Sequence, residues 1–398
     1  MRREDFYILS APIFATYLGA VSGSEALKYT SFNVAELDEK ESRRLFISSL
    51  MSSPSSLFLE DKEDVARQVG YALAQEEAGV DRSTIVHSFL ESMKALASSK
   101  IEAKMRLYES IASSLGAVFL LPLFLLFLWA IGILVIDPLI LLALVYGITM
   151  ALGTMAIVIT PTDLDIWKTY EWSIPLGIGI ATIAMLWNLP VAFLAFSLTT
   201  WLWLKIRNRL WWFNIRREVP PMLRSVAAML KEGAPPELIL SRLMGVFKTA
   251  AKIAYGYYVP SRYFVLAKAM YKAIVEAGGS TAIKSVEYIQ SIIDIETTSI
   301  RRMARLSSAY FALFIVAVII LSMAVSSAVK HLASIDVSYN PFFLPPPYDE
   351  VRQVLTTAMS LIAASYISVF LLPLGIHYST MLGGAVGVVL QHIIALLI

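Results

Sequence analysis

Long stretches without a formal charge alternate with two richly charged segments in this chain. Asp, Glu, Lys and Arg are absent from five stretches: residues 112–136, 139–160, 173–204, 307–329 and 353–398. A bilayer hydrocarbon core about 30 Å thick needs roughly 20 apolar residues per helix. Apolar residues make up 57% of the chain, against about 45–50% in an average soluble domain. This pattern predicts a protein that crosses a membrane several times.

The uncharged stretches divide into about seven predicted spans. Residues 172–204 are too long for one span, and Trp187–Pro190 splits them into a pair. The last stretch divides near Pro373–His377. The predicted domains are cytoplasmic helical module 1 (1–111), a block of about four spans (112–204), cytoplasmic helical module 2 (205–306), and a block of about three spans (307–398) with an external loop at 330–352.

The two charged segments have opposite net charges. Residues 1–111 contain 13 basic and 17 acidic residues, a net charge of −4, whereas residues 205–305 contain 17 and 7, a net charge of +10. Because Lys and Arg are retained on the cytoplasmic side, both segments are expected there. The prediction is a multi-pass protein of the cell membrane, with a cytoplasmic N-terminus and an external C-terminus. The chain has no cysteine, which excludes disulfides and thiolate chemistry.

Both charged segments have the periodicity of helices, and no alternating strand pattern competes with it. After a turn at Gly79, a buried stripe is predicted over residues 85–96. In module 2, Pro220 and Pro221 suit the start of a helix and Gly233 suits its end, and Pro235–Pro236 begins the next helix. One face of the first helix carries Met222, Leu223, Val226, Met229 and Leu230, with Arg224, Ser225 and Lys231 opposite. The predicted fold class is all-α.

The two modules contain an internal repeat. Residues 18–27, with Glu25, align without a gap with residues 230–239, with Glu237. Further along, Glu77-Ala78-Gly79 matches Glu276-Ala277-Gly278. In each copy a charged helix then leads directly into an apolar stretch. The expected repeating unit is a helical hairpin, a turn, more helices and a membrane span.

Residues 220–240, Pro-Pro-Met-Leu-Arg-Ser-Val-Ala-Ala-Met-Leu-Lys-Glu-Gly-Ala-Pro-Pro-Glu-Leu-Ile-Leu, resemble the opening of a type II secretion F domain. The shared features are a proline-led helix, a small-residue turn after Leu-x-x-Gly, a Glu-Leu helix, and later Gly278-Gly279. Residues 6–130 resemble the same domain less closely, with Val21-Ser22-Gly23 in the turn and a Ser-rich insert at 48–56. Two such domains with extra spans are similar to the archaeal platform of type IV pilus-like machines.

The resemblance implies a membrane scaffold without enzymatic activity. Platforms of this family form oligomers, here expected to be a homodimer, and dock a hexameric secretion ATPase on the cytoplasmic side. They help to move pilin or archaellin subunits from the lipid bilayer into a growing filament. The resemblance does not distinguish an archaellum from an adhesion or secretion pilus.

The sequence contains no motif that predicts catalysis or a cofactor. No Gly-x4-Gly-Lys-Ser/Thr occurs, so a P-loop is not expected. The four histidines, His87, His331, His377 and His392, lack metal-ligand spacing and are expected at interfaces or on the surface. Asp163 and Asp165 are two residues apart without the Gly-x-Gly-Asp pattern of an aspartyl peptidase, which favours a loop. Gly177 and Gly179 are expected to permit close helix packing.

Two explanations remain for the charge of module 2. One is retention on the cytoplasmic side with attraction to membrane lipids; the other is a docking surface for the ATPase. The candidate docking residues are Arg216, Arg217, Arg224, Lys231, Arg242, Lys248 and Lys252. The basic residues lack interleaved aromatic residues, so nucleic acid is not an expected partner. The alternative function is a transporter or lipid-handling protein with duplicated cytoplasmic domains, although no charged residue lies inside a predicted span.

Overall fold

A computed structural model describes residues 3–131, 165–186, 188–334, 347–371 and 375–397, with single positions at 133, 134, 137, 140, 143, 144 and 147. The described part of the chain is all-helical and contains no β-strand, which confirms the all-α prediction. Two compact units are present. The polar unit comprises Met1–Ala103, Asp163–Asp165 and Trp211–Ser299, and the apolar unit comprises Lys104–Thr162, Ile166–Leu210 and Ile300–Ile398.

Helices account for most of the polar unit. The first group is α1 (Arg3–Leu18), α2 (Gly23–Val34), α3 (Glu39–Ser49), α4 (Ser56–Leu59), α5 (Asp64–Glu77) and the first part of α6 (Arg82–Ala130). The second group, after the helices of the apolar unit, is α10 (Ile215–Lys231), α11 (Pro236–Leu243), α12 (Lys248–Ala254), α13 (Arg262–Ala277) and the first part of α14 (Gly279–Ser334). A short 3₁₀ helix, Leu210–Asn214, precedes α10.

The order of these helices repeats. Helices α1, α2, α3, α5 and α6 have counterparts in α10, α11, α12, α13 and α14. The left-handed glycines Gly79 (φ 80°) and Gly278 (φ 63°) lie at equivalent places, just before the long helix of each copy. Helix α4, which follows the Ser-rich insert, has no helical counterpart between α12 and α13. The helices therefore confirm the repeat predicted from the sequence.

Both copies contribute to one hydrophobic core in the polar unit. Helix α1 is buried on every side from Phe6 to Leu18 and packs against α2 and α5 of its own copy and α13 of the other. The Tyr288 hydroxyl donates to the Ile8 carbonyl at 3.2 Å, and Lys268 pairs with Glu36 at 2.7 Å. Modules 1 and 2 of the sequence are thus parts of a single helical body.

Helix boundaries in module 2 agree with the sequence except at the prolines. Gly233 (φ 77°) ends α10 as predicted, because its N–H and that of Ala234 donate to the Leu230 and Met229 carbonyls. The prediction that Pro220 and Pro221 start the helix is wrong, since α10 begins at Ile215 and both prolines lie inside it. Ile215 and Val219 are fully buried, and their burial stabilises a helical turn that precedes the prolines.

The apolar unit contains the remaining parts of α6 and α14 and five further helices. These are α7 (Ile166–Tyr170), α8 (Ser173–Met185), α9 (Leu189–Ile206), α15 (Tyr348–Phe370) and α16 (Ile376–Leu397). The break between α8 and α9 confirms the predicted division near residue 188. Within the predicted external loop, residues 330–334 continue α14 and 348–352 begin α15, while 335–346 lie outside the described residues. Most of the predicted span 139–160 also lies outside them.

Glycines allow the helices of the apolar unit to approach closely. A Cβ atom on Gly383 would lie 2.4 Å from the Ala364 carbonyl oxygen, and one on Gly384 would lie 2.9 Å from Leu194 Cγ. A Cβ on Gly177 would lie 2.8 Å from Phe196 Cδ2, which confirms the close packing predicted there. The same prediction is wrong for Gly179, since no atom of the described residues lies within 4 Å of its Cβ position. Small residues at these contacts are typical of helix packing in lipid.

Candidate docking surfaces

One exposed face of α10 carries three of the predicted docking residues. Arg217, Arg224 and Lys231 are all exposed and are spaced seven residues apart, so they lie on one side of the helix. The opposite face is buried, with Met222, Leu223 and Val226 in the core of the polar unit. We call Arg217, Arg224 and Lys231 the α10 stripe.

Acidic residues of α14 line part of the α10 stripe. Arg224 pairs with Asp294 at 3.4 Å and Lys231 with Glu287 at 2.7 Å, and about half or more of each of these side chains is exposed. Exposed pairs of this kind contribute roughly 0–1 kcal/mol each. Arg217 makes no ion pair with any residue that the structure describes. The stripe therefore remains open to an acidic partner at low cost.

Arg216 lies on a different side of α10 from its neighbour Arg217. Its guanidinium lies 5.7 Å from the ring centre of Tyr263, and its Nε and Nη2 atoms are buried with no hydrogen-bond partner among the residues that the structure describes. Arg262 and the Tyr263 hydroxyl both donate to Glu296, the former at 2.9 Å. Consecutive residues differ by about 100° around a helix, which is why one arginine faces the core and the next faces solvent.

The remaining predicted docking residues lie on the next two helices. Arg242 is exposed near the end of α11 and Lys248 is exposed at the start of α12. Lys252 Nζ lies 3.8 Å from the ring centre of Tyr257. The seven residues thus form three groups, namely the α10 stripe, the inward Arg216, and the cations of α11 and α12.

The sequence prediction missed two features of this surface. It did not include Glu287 and Asp294, although their spacing of seven residues on a helical segment matches that of Arg224 and Lys231. It also missed three exposed tyrosines, Tyr255, Tyr257 and Tyr258, on the turn between α12 and α13. The sequence signal for this turn is the run Tyr-Gly-Tyr-Tyr followed by Pro260.

A second candidate surface is the apolar exterior of the apolar unit. Large apolar side chains with at least 46% of their area exposed occur on α8, on α14 and on α16. They include Leu176, Ile178, Ile180, Ile183, Met185, Leu313, Val316, Ile320, Met323, Met381, Val389 and Leu396. Soluble monomers rarely expose contiguous apolar area on this scale. One described helix, Ile376–Leu397, is long and apolar enough to cross a membrane, and three shorter apolar segments occur at Ser173–Met185, Pro190–Ile206 and Ile315–Ala328.

The loop around Asp165 and the histidine His377 occupy specific places in the fold. The Asp165 N–H donates to the Pro260 carbonyl at 3.1 Å within the polar unit, while Asp163 lies outside the described residues. His377 is 1% exposed and lies between two helices, so of the two positions expected for it, an interface or the surface, it occupies an interface. Its Nδ1 atom lies 2.9 Å from the Tyr170 hydroxyl. This contact joins the start of α16 to α7.

The sequence matches no protein-family model, and searches of curated proteins and of solved structures give no match either. Function is therefore inferred from the residues and contacts of the chain itself.

Proposed function

We propose that this chain is the non-enzymatic platform of an archaeal type IV pilus-like machine in the cell membrane. The polar unit would bind a hexameric secretion ATPase in the cytoplasm, and the apolar unit would span the lipid bilayer and contact pilin or archaellin subunits. A homodimer is the proposed assembly. The single observation that carries the proposal is the repeat of α1–α6 in α10–α14, because both copies end in a helix shared by the two units.

These two shared helices support a role in mechanical coupling. The unit boundaries at residues 103/104 and 299/300 fall inside α6 and α14, each of which is one continuous helix. Within the apolar unit the two helices are paired through Arg302 and Glu109 at 2.7 Å, and both Met105 and Met303 are buried in its core. Rigid secondary-structure elements are among the structures that carry coupling between distant sites.

The exposed apolar surface of α8, α14 and α16 supports the multi-pass placement. Exposed apolar side chains of this number are more compatible with lipid than with water, and the glycine contacts of α16 are of the kind found between helices in lipid. Helix α8 has 13 residues and is about 20 Å long, less than the roughly 30 Å of a hydrocarbon core. We therefore propose that α8 and α9 enter and leave on the same side as a short hairpin.

Two contacts support the placement of residues 165–171 on the cytoplasmic side. The Asp165 N–H bonds to Pro260 of module 2. Arg209, just after α9, donates to the Lys168 and Thr169 carbonyls at 3.1 Å and pairs with Glu171 at 2.6 Å. Both ends of the α8–α9 hairpin are thus held together beside residues assigned to the cytoplasm by their charge.

The ATPase is proposed to bind the α10 stripe, and capture of the ATPase by the purified full chain tests this. Neutralising the stripe (Arg217→Gln, Arg224→Gln, Lys231→Gln) should lower ATPase capture at least about tenfold, because charged contacts at such surfaces set association and specificity. The ATPase used is the one encoded nearest to the gene for this chain.

A control variant matches the charge change. Lys28→Gln, Arg43→Gln and Lys62→Gln remove three exposed cations of module 1, one of which, Arg43, is in an exposed ion pair with Glu39. This variant should capture the ATPase as well as the unaltered chain does. Equal capture by the two variants would rule out the stripe as the docking site, and no capture by the unaltered chain would rule out the platform role.

A further inference from the structure

The turn between α12 and α13 displays three tyrosines on a fixed backbone. Tyr255, Tyr257 and Tyr258 are 73%, 51% and 51% exposed. Gly256 (φ 68°) and Tyr257 close the end of α12, donating through their N–H groups to the Ile253 and Lys252 carbonyls at 3.1 and 3.0 Å. Val259 is 1% exposed and anchors the far end of the turn. We call residues 255–258 the tyrosine loop.

The tyrosine loop places three exposed aromatic rings on the surface of the polar unit. Single apolar side chains on a surface are ordinary, but three aromatic rings within four residues form a patch that marks a binding surface. Tyrosine is suited to a boundary between apolar and aqueous surroundings, because its ring is apolar and its hydroxyl is polar. The loop therefore fits a partner that offers both surroundings within a few ångströms.

The residues on either side of the tyrosine loop in the sequence carry only positive charge, although Glu218 of α10 reaches the start of α12, where its carboxylate accepts hydrogen bonds from the Thr249 N–H and hydroxyl at 3.0 and 2.7 Å. Residues 238–275 contain six Lys and Arg residues and no Asp or Glu. Lys252 lies over the Tyr257 ring at 3.8 Å, and Lys248 lies one turn earlier on the same helix. Anionic headgroups attract basic residues near a membrane surface. Cations beside amphipathic rings are the combination found where proteins meet the headgroup region.

A backbone hydrogen bond ties the tyrosine loop to the chain segment that leads into the apolar helices. Pro260, two residues after the loop, accepts the hydrogen bond from the Asp165 N–H at 3.1 Å. Asp165 directly precedes α7 and, eight residues later, the exposed apolar helix α8. The loop thus lies close to Asp165, from which the chain continues into the proposed membrane segment.

From the exposed rings, the cations and this connection, we propose that the tyrosine loop with Lys248 and Lys252 binds the headgroup region of an anionic lipid surface. The tyrosine rings insert at the level of the headgroups, and the two lysines contact lipid phosphates. This inference rests on the membrane placement in the proposed function but not on the platform role. It gives the polar unit a lateral contact with the membrane in addition to the two continuous helices.

The absence of cysteine makes a site-specific test direct. Ala254→Cys introduces one thiol on an exposed residue next to the loop and leaves all three tyrosines in place. The full chain carrying an environment-sensitive fluorophore at this thiol is reconstituted into vesicles of phosphatidylglycerol and phosphatidylcholine in equal amounts. Lipids with a nitroxide quencher near the headgroup should quench the fluorescence.

Two further thiol positions serve as controls. Ala78→Cys places the fluorophore on an exposed residue at the end of α5, beside Glu76, Glu77 and Asp81, and should show no quenching. Val389→Cys places it on the exposed face of α16 and should be quenched by nitroxides located deeper in the bilayer. The second control reports on the membrane placement of the apolar unit independently of the loop.

Removing the cations measures their contribution. Lys248→Gln with Lys252→Gln should lower the ratio of bound to unbound loop roughly 25-fold, from the attraction of two basic residues to anionic lipid. With both lysines present, vesicles of phosphatidylcholine alone should also lower the ratio of bound to unbound loop, because they carry no net negative charge. Replacing the three tyrosines by serine should abolish quenching at position 254 without changing it at position 389.

Each result at position 254 decides the proposal. Quenching at 254 and 389 but not at 78 supports it. Absence of quenching at 254 with quenching at 389 overturns it and leaves the proposed membrane placement intact. Absence of quenching at 389 counts against the membrane placement itself. If the fluorescence at 254 changes only when the ATPase is added, the loop binds a protein and the lipid proposal is wrong.

Discussion

The polar and apolar units bury similar kinds of side chain but differ in what covers them. In the polar unit, exposed faces such as the α10 stripe carry charges, and ion pairs join its helices. In the apolar unit, α8 and α16 expose isoleucine, valine and leucine, and glycines bring the helices together. A fold places on its exterior the groups that its solvent accepts, so this contrast is what the proposed membrane placement of the apolar unit predicts.

The two units also differ in how a polar group is buried. Asp61 is 2% exposed at its side chain and pairs with both Arg3 and Arg44 in the polar unit, the latter at 2.6 Å. In the apolar unit, buried Ser197 and Ser322 donate to backbone carbonyls. Charged groups are costly to bury without a partner, whereas a serine hydroxyl is satisfied by a neighbouring backbone. Substitutions should therefore affect the two units through different mechanisms.

The largest effect is expected at Gly383 in the apolar unit. Gly383→Leu would place side-chain atoms where the Ala364 carbonyl oxygen lies 2.4 Å from the Cβ position, so α15 and α16 would have to separate. We expect a loss of stability of about 3 kcal/mol or more, measured as the thermal unfolding temperature of the full chain in detergent.

Gly179→Leu provides the control for Gly383, because within the described part of the chain nothing lies within 4 Å of the Gly179 Cβ position. It should leave the unfolding temperature almost unchanged, although it adds the same side chain. If the two variants unfolded at the same temperature, the close approach of α15 and α16 would not contribute to the stability of the apolar unit.

The next effect is expected at Asp61 in the polar unit. Asp61→Asn removes one of the two carboxylates that compensate Arg3 and Arg44, the other being Glu41 at 3.1 Å from Arg3 and 4.0 Å from Arg44. The two arginines are 31% and 24% exposed at their side chains. Breaking a buried pair destabilises by roughly 3–5 kcal/mol, and solvent screening of the two arginines should reduce this to about 2 kcal/mol. Chemical denaturation followed by circular dichroism measures the change.

Asp64→Asn is the matched control for Asp61, since its partner Arg67 is in an exposed pair three residues along the same helix. No measurable change in stability is expected. A loss at Asp64 as large as that at Asp61 would mean that burial does not determine the contribution of these pairs.

The sequence was sufficient for features that depend on a few neighbouring residues. Gly233 ends α10 because a left-handed residue is needed there, and the chain breaks near residue 188 before Pro190. The sequence was not sufficient to predict features that depend on residues far away in the chain. Pro220 and Pro221 lie inside α10 because Ile215 and Val219 are buried in a core that also includes α13 and α14. A helix start cannot be located from local propensity when tertiary packing extends the helix.

The candidate docking residues also show what could not be predicted from the sequence alone. Their positive charge is visible in the sequence, but the direction of each side chain depends on where α10 begins. Arg216 and Arg217 are adjacent in sequence, yet one lies over Tyr263 and the other is exposed. Likewise, only the packing of α10 on α14 reveals that Asp294 and Glu287 pair with Arg224 and Lys231. The composition was enough to predict a basic surface. The position of each residue around its helix determines which of the basic side chains are exposed on that surface.

The smallest effect on stability is expected at the α10 stripe. Arg224→Gln with Lys231→Gln removes two exposed ion pairs, which should lower stability by less than about 1 kcal/mol in total. The same pair of substitutions should reduce capture of the ATPase, since these side chains are proposed to contact it. If the stripe serves binding, the double variant should lose capture of the ATPase while keeping nearly all of its stability. Chemical denaturation measures the stability, and a capture assay with the ATPase measures the binding. Loss of stability comparable to that of Asp61→Asn would instead make the stripe a structural part of the polar unit.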